Sequence, residues 1–337
     1  MKLNGIVLGL LALAAGGTSR ADVRVPAIFG DHMVLPAGTN TPVWGWAAPG
    51  ESVTVTVGDA RTATTSGADG RWQVVFTNLP TSVTPVAGAG AGKNTLTFQD
   101  VLIGDVWVCS GQSNMALPLR RVLGRDASGT NGLGQAHAPQ LRLFAMKKFA
   151  ALEPRADCAG RWAVCTPEAA REFSATAYFF GREVQQAERI PIGLLGANRG
   201  STCAEYWTSL EALQAEPAFS NYVSRALAAK ARAAGQVAAG ADLTEDKAVS
   251  VPSLLFNAMI HPLIPFGIKG AIWYQGEGNS DQALLYRTLF PALIRDWRRR
   301  WGRGDFPFYF VQLPNFGAAK EQPDDDSDWP RCARRSC

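Results

Sequence analysis

Gly104-Asp105-Val106-Trp107-Val108-Cys109-Ser110-Gly111-Gln112-Ser113-Asn114-Met115 is the stretch around which the chain is organised. Asp100–Ile103 and Val106–Val108 are apolar, β-branched and of strand length, and Ser110–Asn114 switch at once to turn residues. A serine on a glycine-flanked turn that leaves a buried strand is presented at the carboxyl edge of its sheet. Open α/β sheets place their ligands at that edge. Beside the first amides of a following turn, such a hydroxyl has the geometry of an activated nucleophile with part of an oxyanion hole. Read locally, the same residues also make an ordinary polar strand-to-helix turn with Ser113 or Asn114 as N-cap.

Downstream, strand-length apolar runs alternate with helical periodicity. Leu141–Phe144, Ile192–Ala197, Ile268–Tyr274 and Phe306–Leu313 read as strands. Ser174–Arg189, with Ala177, Phe180, Val184 and Ala187 at helical spacing, reads as a helix. So do the pair within Leu210–Ala239, the segment Ser253–His261 and the long amphipathic Gln282–Arg300. This βαβ rhythm predicts an α/β domain whose parallel sheet is covered on both faces. Upstream the pattern is all-β: Val43–Trp46, Ser52–Val57, Thr62–Thr65, Trp72–Phe76 and Thr95–Phe98 are separated by turns at Pro49-Gly50, Gly58-Asp59, Asp69-Gly70 and Ala91-Gly92. Short, evenly spaced strands of this kind predict a small β-sandwich, in which Trp44 and Trp46 serve core and interface. A length of 337 residues suits two domains, here 22–98 and 99–330.

Hydrophobic content of 47% and charged content of 18% describe a globular protein. The net charge of +4 is small, and the basic clusters Arg298–Arg303 and Arg331–Arg335 lack the repeated aromatic interleaving of a single-strand nucleic-acid platform, so no nucleic-acid or membrane-surface partner is expected. Lys2, the apolar run Ile6–Ala15 and the small residues ending Ser19-Arg20-Ala21 read as a cleavable signal peptide over 1–21, hence a secreted or periplasmic protein. Export permits disulfides among the six cysteines, with Cys158–Cys165 the expected bridge and Cys109 a packed thiol. No Cys/His spacing resembles a zinc site.

The quoted stretch resembles the nucleophile block of the sialate O-acetylesterases, a branch of the SGNH hydrolases. Ile272-Trp273-Tyr274-Gln275-Gly276-Glu277-Gly278-Asn279 resembles a second block of that family, and Pro191–Trp207 the block between them. The likeness runs from about Val25 to Asn315. It implies a flavodoxin-like three-layer SGNH domain behind the β-sandwich. It also implies hydrolysis of acetyl esters on sugars by a serine nucleophile, with an acetylated sugar or glycan as substrate and neither metal nor cofactor. Residue by residue, it makes Ser113 the nucleophile and the Ser113 amide, Gly200 and the Gln275 carboxamide the oxyanion donors. Asn114 and Glu277 support the serine loop, and Glu205 and Trp207 line the pocket mouth. Gly200 could equally be a plain turn after a strand, and Gln275 a brace for its loop.

The base is the gap. SGNH hydrolases take Asp and His from a short Asp-x-x-His after the last strand, and the three histidines here, His32, His137 and His261, all lie elsewhere. After Asn315 the family continues towards Trp-x-x-Leu-Arg-Glu-Ala-Gln, whereas this chain ends Trp329-Pro330-Arg331-Cys332-Ala333-Arg334-Arg335-Ser336-Cys337. Back-translated with GC-rich codons, one G inserted after the Pro330 codon restores Trp-Pro-Ala-Leu-Arg-Glu-Ala-Gln-Leu. Residues 331–337 therefore read as a frameshifted tail. The catalytic Asp and His are not present in this chain, and as written it is expected to be inactive. Two other readings use the same residues: a glycoside hydrolase built on Glu277 with a second carboxylate such as Glu205, and a carbohydrate-binding protein without catalysis.

Overall fold

A single strand of 17 residues, Thr95–Gly111, runs through both halves of the molecule. In the computed structural model, residues 22–123, 136–237 and 250–314 are described. The expected signal segment and the anomalous tail lie outside them. The strands in chain order are β1 (Val34–Pro36), β2 (Thr41–Trp46), β3 (Ser52–Val57), β4 (Ala60–Thr65), β5 (Arg71–Phe76), β6 (Ser82–Ala91), β7 (Thr95–Gly111), β8 (Ala138–Met146), β9 (Gly160–Cys165), β10 (Ile192–Asn198), β11 (Gly270–Tyr274) and β12 (Phe308–Phe310). The α-helices are α1 (Ser113–Ala116), α2 (Leu119–Leu123), α3 (Pro167–Arg171), α4 (Ala175–Glu188), α5 (Leu210–Gln214), α6 (Ser220–Val237) and α7 (Ala283–Trp301).

In the N-terminal half, β4, β3, β6 and the first part of β7 pair antiparallel, and β2 pairs β5 in a second, two-stranded sheet. Alternation decides which side faces in: Val53, Val55 and Val57 of β3 and Trp72, Val74 and Phe76 of β5 are buried, and both sets join one core with Met33 and Val101. Burial along β7 alternates through Asp100 and is nearly continuous from Val101 onward. That change marks the point where the strand leaves a sheet wet on one face and enters one covered on both. The boundary expected at 98/99 thus falls inside a strand.

The second half of β7 is a central strand of the order β9-β8-β10-β7-β11-β12, parallel throughout except for β9. Val106, Val108, Leu195, Ala197, Ala271 and Trp273 face the core that contains Leu293 and Trp297 of α7. Trp107, Cys109, Ile192, Leu194 and Ile272 face the opposite core, with Ala177 and Tyr178 of α4. Helices therefore cover both faces, giving three layers. Apart from β8 and β9 at the rim, the order β10-β7-β11-β12 is the flavodoxin pattern, with the chain turning to one side of β7 and then to the other. The carboxyl ends of β7 and β11 meet at that switch point.

Local chemistry sets the ends of these elements. Ser174 caps α4 by accepting from the Ala177 amide at 3.0 Å, and Arg189 closes it in a left-handed conformation at φ +54°. Three arginines, Arg298–Arg300, sit in the last turn of α7 before Gly302 at φ +62°. Pro262 stops the segment expected as a helix over Ser253–His261, which forms a π-turn, Phe256–Ile260, and a 3₁₀ turn, His261–Leu263.

Three strands, β1, β6 and β9, and one bridge depart from expectation. β6 carries Pro85, Gly88 and Gly90, which break a strand pattern; its pairing with β7 absorbs them through register shifts at Ser82/Val86 and Val86/Gly88. β9 separates the two cysteines expected to pair, and this removes the Cys158–Cys165 bridge. Both thiols are free and buried. The five strand steps from Gly160 to Cys165 span roughly 16 Å, whereas a disulfide holds its Cα atoms within about 7 Å. Among the described residues, no helix is long and apolar enough to cross a membrane.

Candidate active site

Three strand ends meet at the rim. Gly111 ends β7 at φ +139°, a conformation that favours glycine, and a Cβ there would collide with the Tyr274 carbonyl oxygen of β11. The Gln112 amide donates to that same carbonyl at 2.9 Å, so the turn is tied to its neighbour strand. Ser113 opens α1, and its side of the turn is exposed to solvent.

From β10 comes the second component. The Arg199 amide donates to the Gly111 carbonyl at 3.1 Å, laying the following turn across the serine. The Ser201 amide then donates to Ser113 Oγ at 3.1 Å. Ser201 holds φ +58°, an uncommon conformation for a residue with a Cβ. Gly200 stands beside the same oxygen: a Cβ there would lie 3.5 Å from Ser113 Oγ, so glycine leaves that space open. The amide that touches the hydroxyl is thus one residue beyond the glycine singled out in the sequence.

The third component is the loop after β11. Gln112, buried at 5% exposure, accepts from the Gly278 amide at 2.9 Å and from the Gly276 amide at 3.5 Å. Glu277 Oε1 accepts from Asn114 Nδ2 at 2.7 Å, and Thr176 Oγ1 donates to the Asn114 carbonyl at 3.0 Å. Glu277 Oε2 is buried and, among the described residues, has no hydrogen-bond partner. The carboxylate is therefore half used, and the used half is one residue from the hydroxyl. Burial, and then the nearby Glu277, push the Tyr274 phenol above its ordinary range.

Gln275 sits behind this layer at 1% exposure. Its Nε2 donates to Asn279 Oδ1 at 2.7 Å and to the Thr202 carbonyl at 3.2 Å, and its Oε1 accepts from the Tyr286 hydroxyl at 3.0 Å. Both amide hydrogens are engaged, so turning one towards an oxyanion requires releasing Thr202 or Asn279. Glu205 and Trp207 are not at a pocket mouth. Glu205, 2% exposed, accepts from Asn279 Nδ2 at 2.9 Å, and burial pushes its carboxyl above the ordinary range. Trp207, fully buried, donates to Thr202 Oγ1 at 3.1 Å. The 3₁₀ turn Ala204–Trp207 points both inward, where they brace the Thr202 and Asn279 turns from below.

No histidine is hydrogen-bonded to Ser113 among the described residues. His32 is 2.6 Å from an Asp100 oxygen in the N-terminal half, His261 Nδ1 donates to the Arg155 carbonyl at 2.9 Å, and His137 is exposed. Two concavities of 610 and 700 Å³ lie around Asp105 and Lys269, at the amino ends of the parallel strands and away from the serine. Gln112, Ser201, Thr202 and Asn279 are site residues that sequence reasoning passed over. Each acts through an amide or carbonyl contact between segments distant in sequence, and only their place inside the three blocks hinted at it.

No protein-family model matches the chain. It is 32% identical to the human sialate O-acetylesterase and 32% identical to that of Pongo abelii, each over 96% of this chain and 64% of the relative. Against the mouse sialate O-acetylesterase the identity is 30% over 93% of this chain. The chain thus spans somewhat less than two thirds of the length of these curated relatives. Among solved structures, a carbohydrate acetylesterase from Xanthomonas citri is similar with a TM-score of 0.77 and 32% identity, covering 93% of this chain and 65% of that one. A serine turn, a glycine turn and a Gln-Gly-Glu loop gathered on one sheet rim, within a likeness that extends over 96% of the residues, place this chain in the sialate O-acetylesterase family.

Proposed function

We propose that this protein is a carbohydrate O-acetylesterase acting through Ser113. Ser113 Oγ attacks the acetyl carbonyl carbon, its proton passing to the imidazole of an Asp-x-x-His. The sugar oxygen leaves with that proton, and water then releases acetate from the serine by the same path. Amides of Ser113 and of the Gly200-Ser201 turn face the carbon's developing oxyanion. Gln275 acts by holding the Thr202 and Asn279 turns, and joins the donors only if it exchanges one of those bonds. Glu277 fixes Asn114 and with it the rotamer of the serine loop. The reading includes export through the segment 1–21 and a requirement for the C-terminal Asp-x-x-His, without which turnover is negligible.

The single observation that carries this reading is the Ser201 amide donating to an exposed Ser113 Oγ at 3.1 Å. Buried Glu205, committed to Asn279, argues against a glycosidase pair with Glu277. The test is acetate release from an acetylated sugar and from p-nitrophenyl acetate by the 337-residue chain and by the same chain continued with a relative's C-terminal block. Turnover is expected in the continued chain and is expected to fall about 10⁴- to 10⁶-fold in its Ser113→Ala variant. Undiminished turnover in that variant would reject Ser113.

A further inference from the structure

The Val43-Trp44-Gly45-Trp46 strand has a role that the serine site does not absorb. Beside it lies a cleft of 400 Å³ between the β2–β5 sheet and the segments 154–156 and 261–265. None of the residues gathered around Ser113 lines it. Trp44 forms a fixed wall: its ring meets Phe29 edge-on at 4.8 Å and Phe266 at 6.4 Å. Trp46, half-buried, is held by the Arg24 guanidinium 4.2 Å from its ring centroid.

The polar lining is one-sided. Arg71, Gln73 and Arg155 are exposed along the cleft, and no aspartate or glutamate lines it. Arg71 meets Asp69 only at 3.7 Å, with both side chains about two-thirds exposed, a pair that leaves its charge largely available. Arg155 lies over the Phe149 ring at 5.2 Å, which leaves its guanidinium edge for ligand, and among the described residues no carboxylate pairs with it. The Arg155 carbonyl can only accept, so His261 Nδ1 carries the proton of their 2.9 Å bond, which fixes the ring at the edge of the cleft.

Indole walls suit the apolar faces of pyranose rings, and planar guanidinium forks suit carboxylates. A neutral sugar would leave two arginines unanswered, and a purely anionic ion would leave the tryptophans unused. We propose that this cleft is a second glycan-binding site, selective for an oligosaccharide that carries carboxylates and separate from the Ser113 centre. Occupancy there would hold an acidic polymer on the protein independently of ester cleavage at the rim.

The test is calorimetric titration of the Ser113→Ala chain with trigalacturonate, with xylotetraose as the neutral sugar and hexaglutamate as an acidic chain without rings. Binding is expected for trigalacturonate, weakened by added salt as exposed ion pairs are. It should fall about tenfold in Arg155→Ala and again in Trp46→Ala. Arg155 is exposed, so its variant keeps the parent melting temperature; Gln73→Ala serves as a second exposed variant should Trp46→Ala unfold. Four results would each overturn the proposal: no heat up to about 10 mM trigalacturonate, equal affinity in Arg155→Ala, equal affinity for xylotetraose, or equal affinity for hexaglutamate. Acetate release by the Ser113 centre is read separately and does not move with any of these outcomes.

Discussion

Ser113 Oγ is exposed, touches the Ser201 amide and is flanked by the open side of Gly200. What keeps it there is a chain of short contacts: Glu277 on Asn114, Thr176 on the Asn114 carbonyl, Gln112 on the Gly278 amide. Glu277 is the least expendable of these, because a carboxylate accepts from an amide more strongly than a neutral group does. Glu277→Gln in the C-terminally continued chain is expected to lower kcat about tenfold with KM nearly unchanged, the cost of one charge-assisted hydrogen bond. A rise in KM at constant kcat would instead make Glu277 a substrate contact. The sequence carried Ser113, Asn114 and Glu277 by motif alone. It could not say that the touching amide belongs to Ser201, since that depends on a left-handed φ of +58° that no residue type there demands.

At the scale of elements, β7 does two jobs in one stretch, and the sequence showed both without showing that they join. Thr95–Phe98 and Val106–Val108 each read as strands because their residues are β-branched or apolar. Their fusion into one strand depends on pairing with β6, itself masked by Pro85 and two glycines. Glu205 and Trp207 were misplaced for a related reason: a family block fixes neighbours along the chain, but a 3₁₀ turn decides which of them point inward. The end of β7 is more constrained than either. Gly111→Ala forces a Cβ into the Tyr274 carbonyl at φ +139°. It is expected to cost at least about 2 kcal/mol, read as a lowered urea midpoint. An unchanged midpoint would mean that β7 and β11 do not meet as described.

At the scale of the whole molecule, the two halves are pinned by a buried arginine. Arg142 on β8, 3% exposed, donates to both Asp100 oxygens at 2.7 and 2.9 Å, to the His32 and Asp100 carbonyls, and to Pro139. Burial pushes the Asp100 carboxyl upward, but the Arg142 and His32 contacts outweigh it, and the net shift is below the ordinary value. A depressed carboxyl contributes stability above its unfolded pKa and loses it as pH falls through the folded one. Asp100→Asn leaves the buried guanidinium without its counter-charge and is expected to cost about 3 kcal/mol at pH 7. The gap to the parent should begin to narrow below about pH 4 and close only as pH falls through the depressed folded-state value, where the parent's carboxyl becomes neutral too; a gap independent of pH would contradict the ion pair. The same scale contains the account's central claim, that strands brought together from across the chain serve one hydroxyl. Fluorophosphonate treatment of the C-terminally continued chain, followed by peptide mass mapping, reads this most directly. A single adduct on the peptide holding Ser113, absent in Ser113→Ala, is the result predicted, and an adduct on any other residue, or none, would contradict it.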